Sequence, residues 1–186
     1  MRFKNFFKQD ELKLLWPFYV EALILGMFYV SSAFNVIYFK SIGFSLSQIG
    51  VITSALALAG LIFEIPTGAV ADVFGRKFST ILGNTLVGIS ILMISFANDF
   101  YTLLGIFFFQ GFGLTFISGA KESWIVDLLH YKKKKHLVEE YYVKNKSFVN
   151  VSMLVSGILG AILVKSLGIR VIWLVTGVAI LLATFV

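Results

Sequence analysis

Six stretches of the chain contain no charged residue: Ala22–Phe39 (18 residues), Ser41–Phe63 (23), Phe78–Asn98 (21), Phe100–Ala120 (21), Ser147–Val164 (18) and Val171–Val186 (16). A bilayer core is crossed by roughly 20 mostly apolar residues in helical form, each rising about 1.5 Å. Hydrocarbon gives a backbone N–H or C=O no partner, so each run should close its hydrogen bonds within a helix and the polar breaks should be loops. Charged residues are 14% of the 186, against ~25% in an ordinary soluble domain, too few to coat a globule in water. The expected fold is all-α, a polytopic membrane protein with six transmembrane helices. The absence of Cys removes disulfides, a thiol nucleophile and thiolate metal sites, and no cofactor or metal is expected. Met1–Lys13 is polar and the run after it is long enough to span, unlike a cleavable signal peptide.

The net charge of +6 is distributed as a topology signal and not as a nucleic-acid footprint. With the N-terminus in the cytoplasm and strict alternation, twelve basic residues fall inside: Arg2, Lys4, Lys8, Lys13, Arg76, Lys77, Lys132, Lys133, Lys134, Lys135, Lys144 and Lys146. Three fall outside, Lys40, Lys165 and Arg170, while Lys121 sits near the inner end of helix 4. That asymmetry follows the positive-inside rule and points to a multi-pass protein of the cell (plasma or inner) membrane. The helices are read as Leu14–Phe39, Ser47–Ala69, Phe78–Ala97, Tyr101–Leu129, Lys146–Lys165 and Val171 onward. Residues 1–13 form a cytoplasmic segment, and 14–186 the six-helix transmembrane domain. The basic cluster Lys132–Lys135 suits a topogenic anchor near anionic headgroups, with a regulatory or partner-binding role as the other reading. The last run stops about 16 residues in, without a basic flank, and reads as a truncated helix. The chain is then a fragment, a truncated gene product or one half of a larger protein.

Between helices 2 and 3 lies Gly68-Ala69-Val70-Ala71-Asp72-Val73-Phe74-Gly75-Arg76-Lys77. Gly68 would let another helix pack closely against the end of helix 2. Asp72, beyond that end, would accept hydrogen bonds from the free N–H groups opening helix 3. Gly75 permits a positive φ in a tight reversal. Arg76 offers a charged planar fork for a carboxylate, and Lys77 would hold the turn in the cytoplasm.

This string, at this place between two spans, resembles the signature loop of the major facilitator superfamily of secondary transporters. The resemblance covers the chain as that family's N-terminal six-helix half, a 3+3 inverted repeat. It implies alternating access for a small-molecule substrate, with protons as a candidate coupling ion and a C-terminal half or another six-helix chain as partner. It also implies a charge relay of Asp72 and Arg76 with Asp127, latching the two halves; an ordinary solvated helix end is the other reading of Asp127. The stretch from Ser118 to Asp127 looks like the helix-4 end of efflux-type members. Drug–proton antiporters carry an Arg three residues before the Gln-Gly pair of helix 4, where this chain has Phe107 before Gln110-Gly111. Helix 5, with Gly157 and Gly160, also lacks their Pro, so proton antiport is weakened and transport as such is not.

Glu21 and Glu64 each sit roughly 8–10 Å inside the inner boundary. Intramembrane carboxylates are costly and tend to face protein or water, which makes both candidate proton-binding groups. The competing reading is a structural bond to a helix end or a nearby Lys. Asn35 and Gln110 are the candidate substrate contacts, since the resemblance places helices 1 and 4 around the cavity, and Ser31 and Ser32 lie close by. Their alternative is interhelical hydrogen bonding. Lys121 and Glu122 are expected at the inner vestibule or headgroups, and Trp124 and Trp173 in lipid-facing or interfacial packing. Ser152, Ser156 and Gly160 recur at i, i+4 and i+8 as a close-packing face.

An intramembrane enzyme is disfavoured. His130 and His136 lie in a loop away from any membrane serine, Ser118-Gly119 is a weak nucleophile signal, and no phosphate-binding G-x4-G-K-[S/T] loop is present. The remaining alternative is a six-helix remnant or assembly partner without transport of its own.

Overall fold

The computed structural model describes residues 7, 8 and 10–185, apart from the side chain of Ser32; Arg2, Lys4 and Val186 lie outside the described residues. Among the described residues eight α-helices follow one another: α1 (Glu11–Phe28), α2 (Ser31–Ser41), α3 (Leu46–Phe74), α4 (Arg76–Ile94), α5 (Phe100–Ile117), α6 (Ala120–Tyr131), α7 (Val138–Leu167) and α8 (Val171–Thr184). They form five spans of membrane length, Glu11–Ser41, Leu46–Phe74, Arg76–Ile94, Phe100–Tyr131 and Lys135–Leu167, with α8 as a shorter apolar helix. Among the described residues there is no strand.

Two spans expected as single helices are broken. The first parts at Tyr29–Val30, and the fourth at Ser118–Gly119, where Gly119 adopts φ 68°. A break at depth strands backbone groups that lipid cannot satisfy. At the first break a neighbour supplies the bonds: Thr176 of α8, fully buried, donates Oγ1–H to the Phe28 carbonyl at 3.0 Å and accepts the Ser31 N–H at 3.3 Å. Runs of apolar residues show that a segment spans, but not that a threonine about 145 residues away repairs it.

Several boundaries also move. The second span continues five residues past Ala69 to Phe74, because nothing in Val70–Phe74 stops a helix before Gly75. Gly75, at φ 94°, is at once the C-cap of α3 and the N-cap of α4, so the expected loop is a single residue. The α-helix of the fifth span starts at Val138, eight residues before Lys146, behind a 3-10 turn at Lys135–Leu137. Glu139 and Glu140 in its first turn suit the positive end of the helix dipole. The first helix likewise begins at Glu11 and not at Leu14.

The main packings are α3 on α5, α4 on α5 and α8, and α1 on α7. Small residues let these backbones approach: a Cβ on Gly111 would lie 2.4 Å from the Leu56 carbonyl oxygen, and one on Gly177 3.0 Å from that of Gly88. The Ser152, Ser156 and Gly160 face of α7 is buried as expected, with Ser152 set against Gly26 of α1. Two apolar cores result. One, at the end away from the basic clusters, gathers Tyr38, Phe39, Phe107 and Trp173 among others. The other, at the basic end, joins Leu15, Phe18 and Tyr19 of α1 to Ile125 and Leu129 of α6 and Tyr141 of α7.

The α3–α5 contact has a direct test. Gly111→Val forces side-chain atoms into the Leu56 backbone and should cost about 1–3 kcal/mol, the usual range for overpacking. Gly105→Ala on the same helix, where an added Cβ meets nothing within 4 Å, should leave thermal unfolding followed by circular dichroism unchanged or slightly raised, since Ala is the better helix former.

Candidate functional site

The signature residues divide between a clasp and an open face. Arg76 opens α4, and its Nη1 donates to Asp127 Oδ2 of α6 at 2.8 Å. Its neighbour Lys77 lies over the Trp124 ring of the same helix, 5.7 Å from the centroid. The two residues after Gly75 therefore both reach α6. The arginine and aspartate side chains are 38% and 61% exposed, and such surface pairs contribute roughly 0–1 kcal/mol. The pair therefore orients α6 against α4 more than it stabilises the fold.

Asp72 departs from expectation. It lies inside the last turn of α3, exposed, and α4 has no side-chain cap. Among the described residues its carboxylate has neither ion-pair nor side-chain hydrogen-bond partner. Gly68 also departs: it is exposed, and an added Cβ there would meet nothing within 4 Å. Leu61, Ile65, Gly68 and Asp72, at i, i+4, i+7 and i+11, form one uncovered stripe on α3. Glu64 stands beside it, exposed, its carboxylate likewise unpartnered among the described residues.

Glu21 is held in the opposite manner. Buried in α1, it pairs with Lys121 Nζ of α6 at 2.8 Å, and Asn84 Nδ2 of α4 lies 3.5 Å away. The nearby lysine of the structural reading is thus Lys121, which turns inward and not toward headgroups, while Glu122 stays exposed. Glu21 and Asn84 border a cleft of about 590 Å³ with Phe18, Trp124 and Ile81 on its walls.

A further carboxylate, Glu11, gives no signal in the sequence because it sits in a polar segment. It is fully buried and accepts hydrogen bonds from Tyr19 Oη (2.7 Å), Lys144 Nζ (2.6 and 2.8 Å) and the Lys8 backbone N–H (2.8 Å). Lys8 also pairs with Glu140, and Asp10 with Lys134 at 3.3 Å. The start of the chain is thereby tied to the base of α7 and the turn before it.

Asn35 and Gln110 come together. They line one pocket of about 130 Å³ with Tyr29, Ser31, Thr53 and Trp173, next to the break between α1 and α2. Asn35 Oδ1, Gln110 Oε1 and Trp173 Nε1 are buried there without a hydrogen-bond partner. Interhelical bonding between the two amides, the alternative to substrate contact, is not formed at these oxygens. Unsatisfied buried groups of this kind cost roughly 1–3 kcal/mol each, so their concentration in one cavity marks it out. Trp173, expected in lipid-facing or interfacial packing, is 3% exposed and faces this pocket. The pocket opens past Tyr29 and Thr53, both exposed.

Together the membrane-length spans, the broken helices and the polar pocket define a multi-pass helical membrane protein with an internal hydrogen-bonding cavity. The Major Facilitator Superfamily profile matches residues 20–186, and the chain belongs to that family of membrane transporters. It is 28% identical over 134 residues to an MFS-type transporter of Methanocaldococcus jannaschii. The aligned region is 72% of this chain and 34% of the relative, so the chain spans about a third of that relative's length.

The Glu21–Lys121 pair predicts a marked asymmetry between variants. Glu21→Gln strands a buried ammonium and should destabilise by about 3–5 kcal/mol, whereas Glu21→Leu with Lys121→Met should cost far less. Chemical denaturation in mild detergent separates these outcomes, and equal losses would contradict a buried ion pair.

Proposed function

We propose that the chain is one six-helix body of a secondary transporter that moves a small molecule by alternating access, with efflux as the favoured direction. The pocket of Asn35, Gln110 and Trp173 carries this reading, because it gathers unpaired polar groups at a helix break and opens beside α3. Transporter sites are built at such discontinuous helices.

The second body is assigned to the face of α3 and α7. Only 22% of the most apolar stretch of α3 and 17% of that of α7 are buried, against 50% for α4. A carboxylate facing hydrocarbon costs a few kcal/mol, so Glu64 and Asp72 on that face favour protein or water over lipid. Gly68 then supplies a close approach that nothing among the described residues uses. The relay is assigned as a clasp in which Arg76–Asp127 fixes α6 while Asp72 meets the partner body. Glu64 is the stronger candidate for proton binding, since Glu21 already has its counter-ion. The occupant is a C-terminal half or another six-helix chain; an assembly partner without transport of its own is the outcome that the tests below would expose. The basic end is assigned to the cytoplasm, which also places the N-terminus and Lys132–Lys135 there.

Two experiments test the proposal. Because the chain has no cysteine, Lys132→Cys and Ser166→Cys report topology. A membrane-impermeant maleimide should label Ser166→Cys in intact cells and Lys132→Cys only in inverted vesicles; the reverse pattern contradicts the orientation. In proteoliposomes containing both bodies, Asp72→Asn should lower substrate counterflow at least tenfold with insertion intact. Unchanged counterflow removes Asp72 from the mechanism. A particle holding one six-helix body and showing no counterflow with any solute supports the non-transporting partner instead.

A further inference from the structure

We infer that the pocket at the first helix break selects an uncharged hydroxyl- or amide-bearing group of the transported solute, an inference that rests on the transporter reading. Its walls come from α2, α3, α4, α5 and α8 together with Tyr29 of the break, and none of the lining residues is Asp, Glu, Lys, Arg or His. A charged group entering it would be desolvated with no counter-ion, which is strongly unfavourable.

The unpaired atoms define the complement more narrowly. Trp173 Nε1–H only donates, so its partner must be an acceptor. The buried amide oxygens of Asn35 and Gln110 are unpaired acceptors, so their partners must donate. A hydroxyl group or a primary amide offers both functions in a few atoms, and a hydrocarbon offers neither. The volume of about 130 Å³ is below the roughly 300–1,000 Å³ of pockets that hold drug-sized ligands, so it suits a small polar group of the solute. A site whose polar groups are buried in this way rejects an analogue that cannot pair them. The three polar side chains sit on three separate helices, so one occupant would bridge α2, α5 and α8 at the point where the first span is interrupted.

Saturation-transfer NMR on the full chain in nanodiscs tests this, with erythritol and acetamide as neutral probes and acetate and acetamidinium, the charged isosteres of acetamide, as charged probes. The expected result is saturable transfer to both neutral probes above that of empty nanodiscs, reduced at least fivefold by Gln110→Leu and partly restored by Gln110→Asn. The charged probes should show no saturable transfer. The inference is overturned if the neutral probes give none, if Gln110→Leu leaves their transfer unchanged while circular dichroism shows a folded chain, or if the charged probes bind equally well. If Gln110→Leu does not fold, competition between acetamide and erythritol for one saturable site decides: competition supports a shared pocket and its absence overturns it. Binding needs no transport, so intact probe binding without counterflow refutes only the carrier reading. Counterflow without neutral-probe binding refutes only the solute class.

Discussion

A helix broken inside a bilayer has to find its missing hydrogen bonds in protein, because hydrocarbon supplies none. That constraint organises the upper half of this bundle. The first span is interrupted at Tyr29–Val30, and Thr176 answers both a stranded carbonyl and a stranded N–H across from it. Holding Thr176 in place requires α8 close to α1, and the packing of Gly177 against Gly88 sets α8 close to α4. The same break sets Tyr29, Ser31 and Asn35 around a cavity that Gln110 and Trp173 complete. One interrupted helix thus makes the pocket possible and one distant hydroxyl makes it affordable.

At the basic end the logic is electrostatic. Buried ions there are matched: Glu21 with Lys121, and Glu11 with Lys144, Tyr19 and a backbone N–H. Each such pairing ties α1 to a later helix, α6 in one case and α7 in the other. The unmatched carboxylates, Glu64 and Asp72, lie exposed on α3, where no helix among the described residues covers them. The contrast separates carboxylates that hold these helices together from carboxylates left uncovered among the described residues.

Much of this was legible in the sequence, and what was not has identifiable causes. Charge-free runs located the spans because bilayer insertion depends on summed hydrophobicity, which is local. The string around Gly75 announced a tight reversal, and Gly75 does take a positive φ. The pairing of Arg76 with Asp127 came from family resemblance, since nothing in the spacing joins residues 51 positions apart. Asn35 and Gln110 were visible as polar residues in apolar runs, but their shared pocket depends on the helix break, which composition does not reveal. Glu11 was hidden because a buried carboxylate in a polar segment looks like any solvated one. Asp72 was misplaced because a helix stops where a breaker stands, and the first breaker after Ala69 is Gly75.

The central claim is that the α3 face carrying Glu64 and Asp72 is turned toward a second protein body or water and not toward lipid. Collision accessibility of a spin label at Ile65→Cys, in nanodiscs holding the assembled carrier, measures this most directly. The account predicts protection from dissolved oxygen, or access to a water-soluble nickel relaxant, when compared with a lipid-facing label at the same depth. An oxygen-dominated profile equal to that of the lipid-facing label would contradict it.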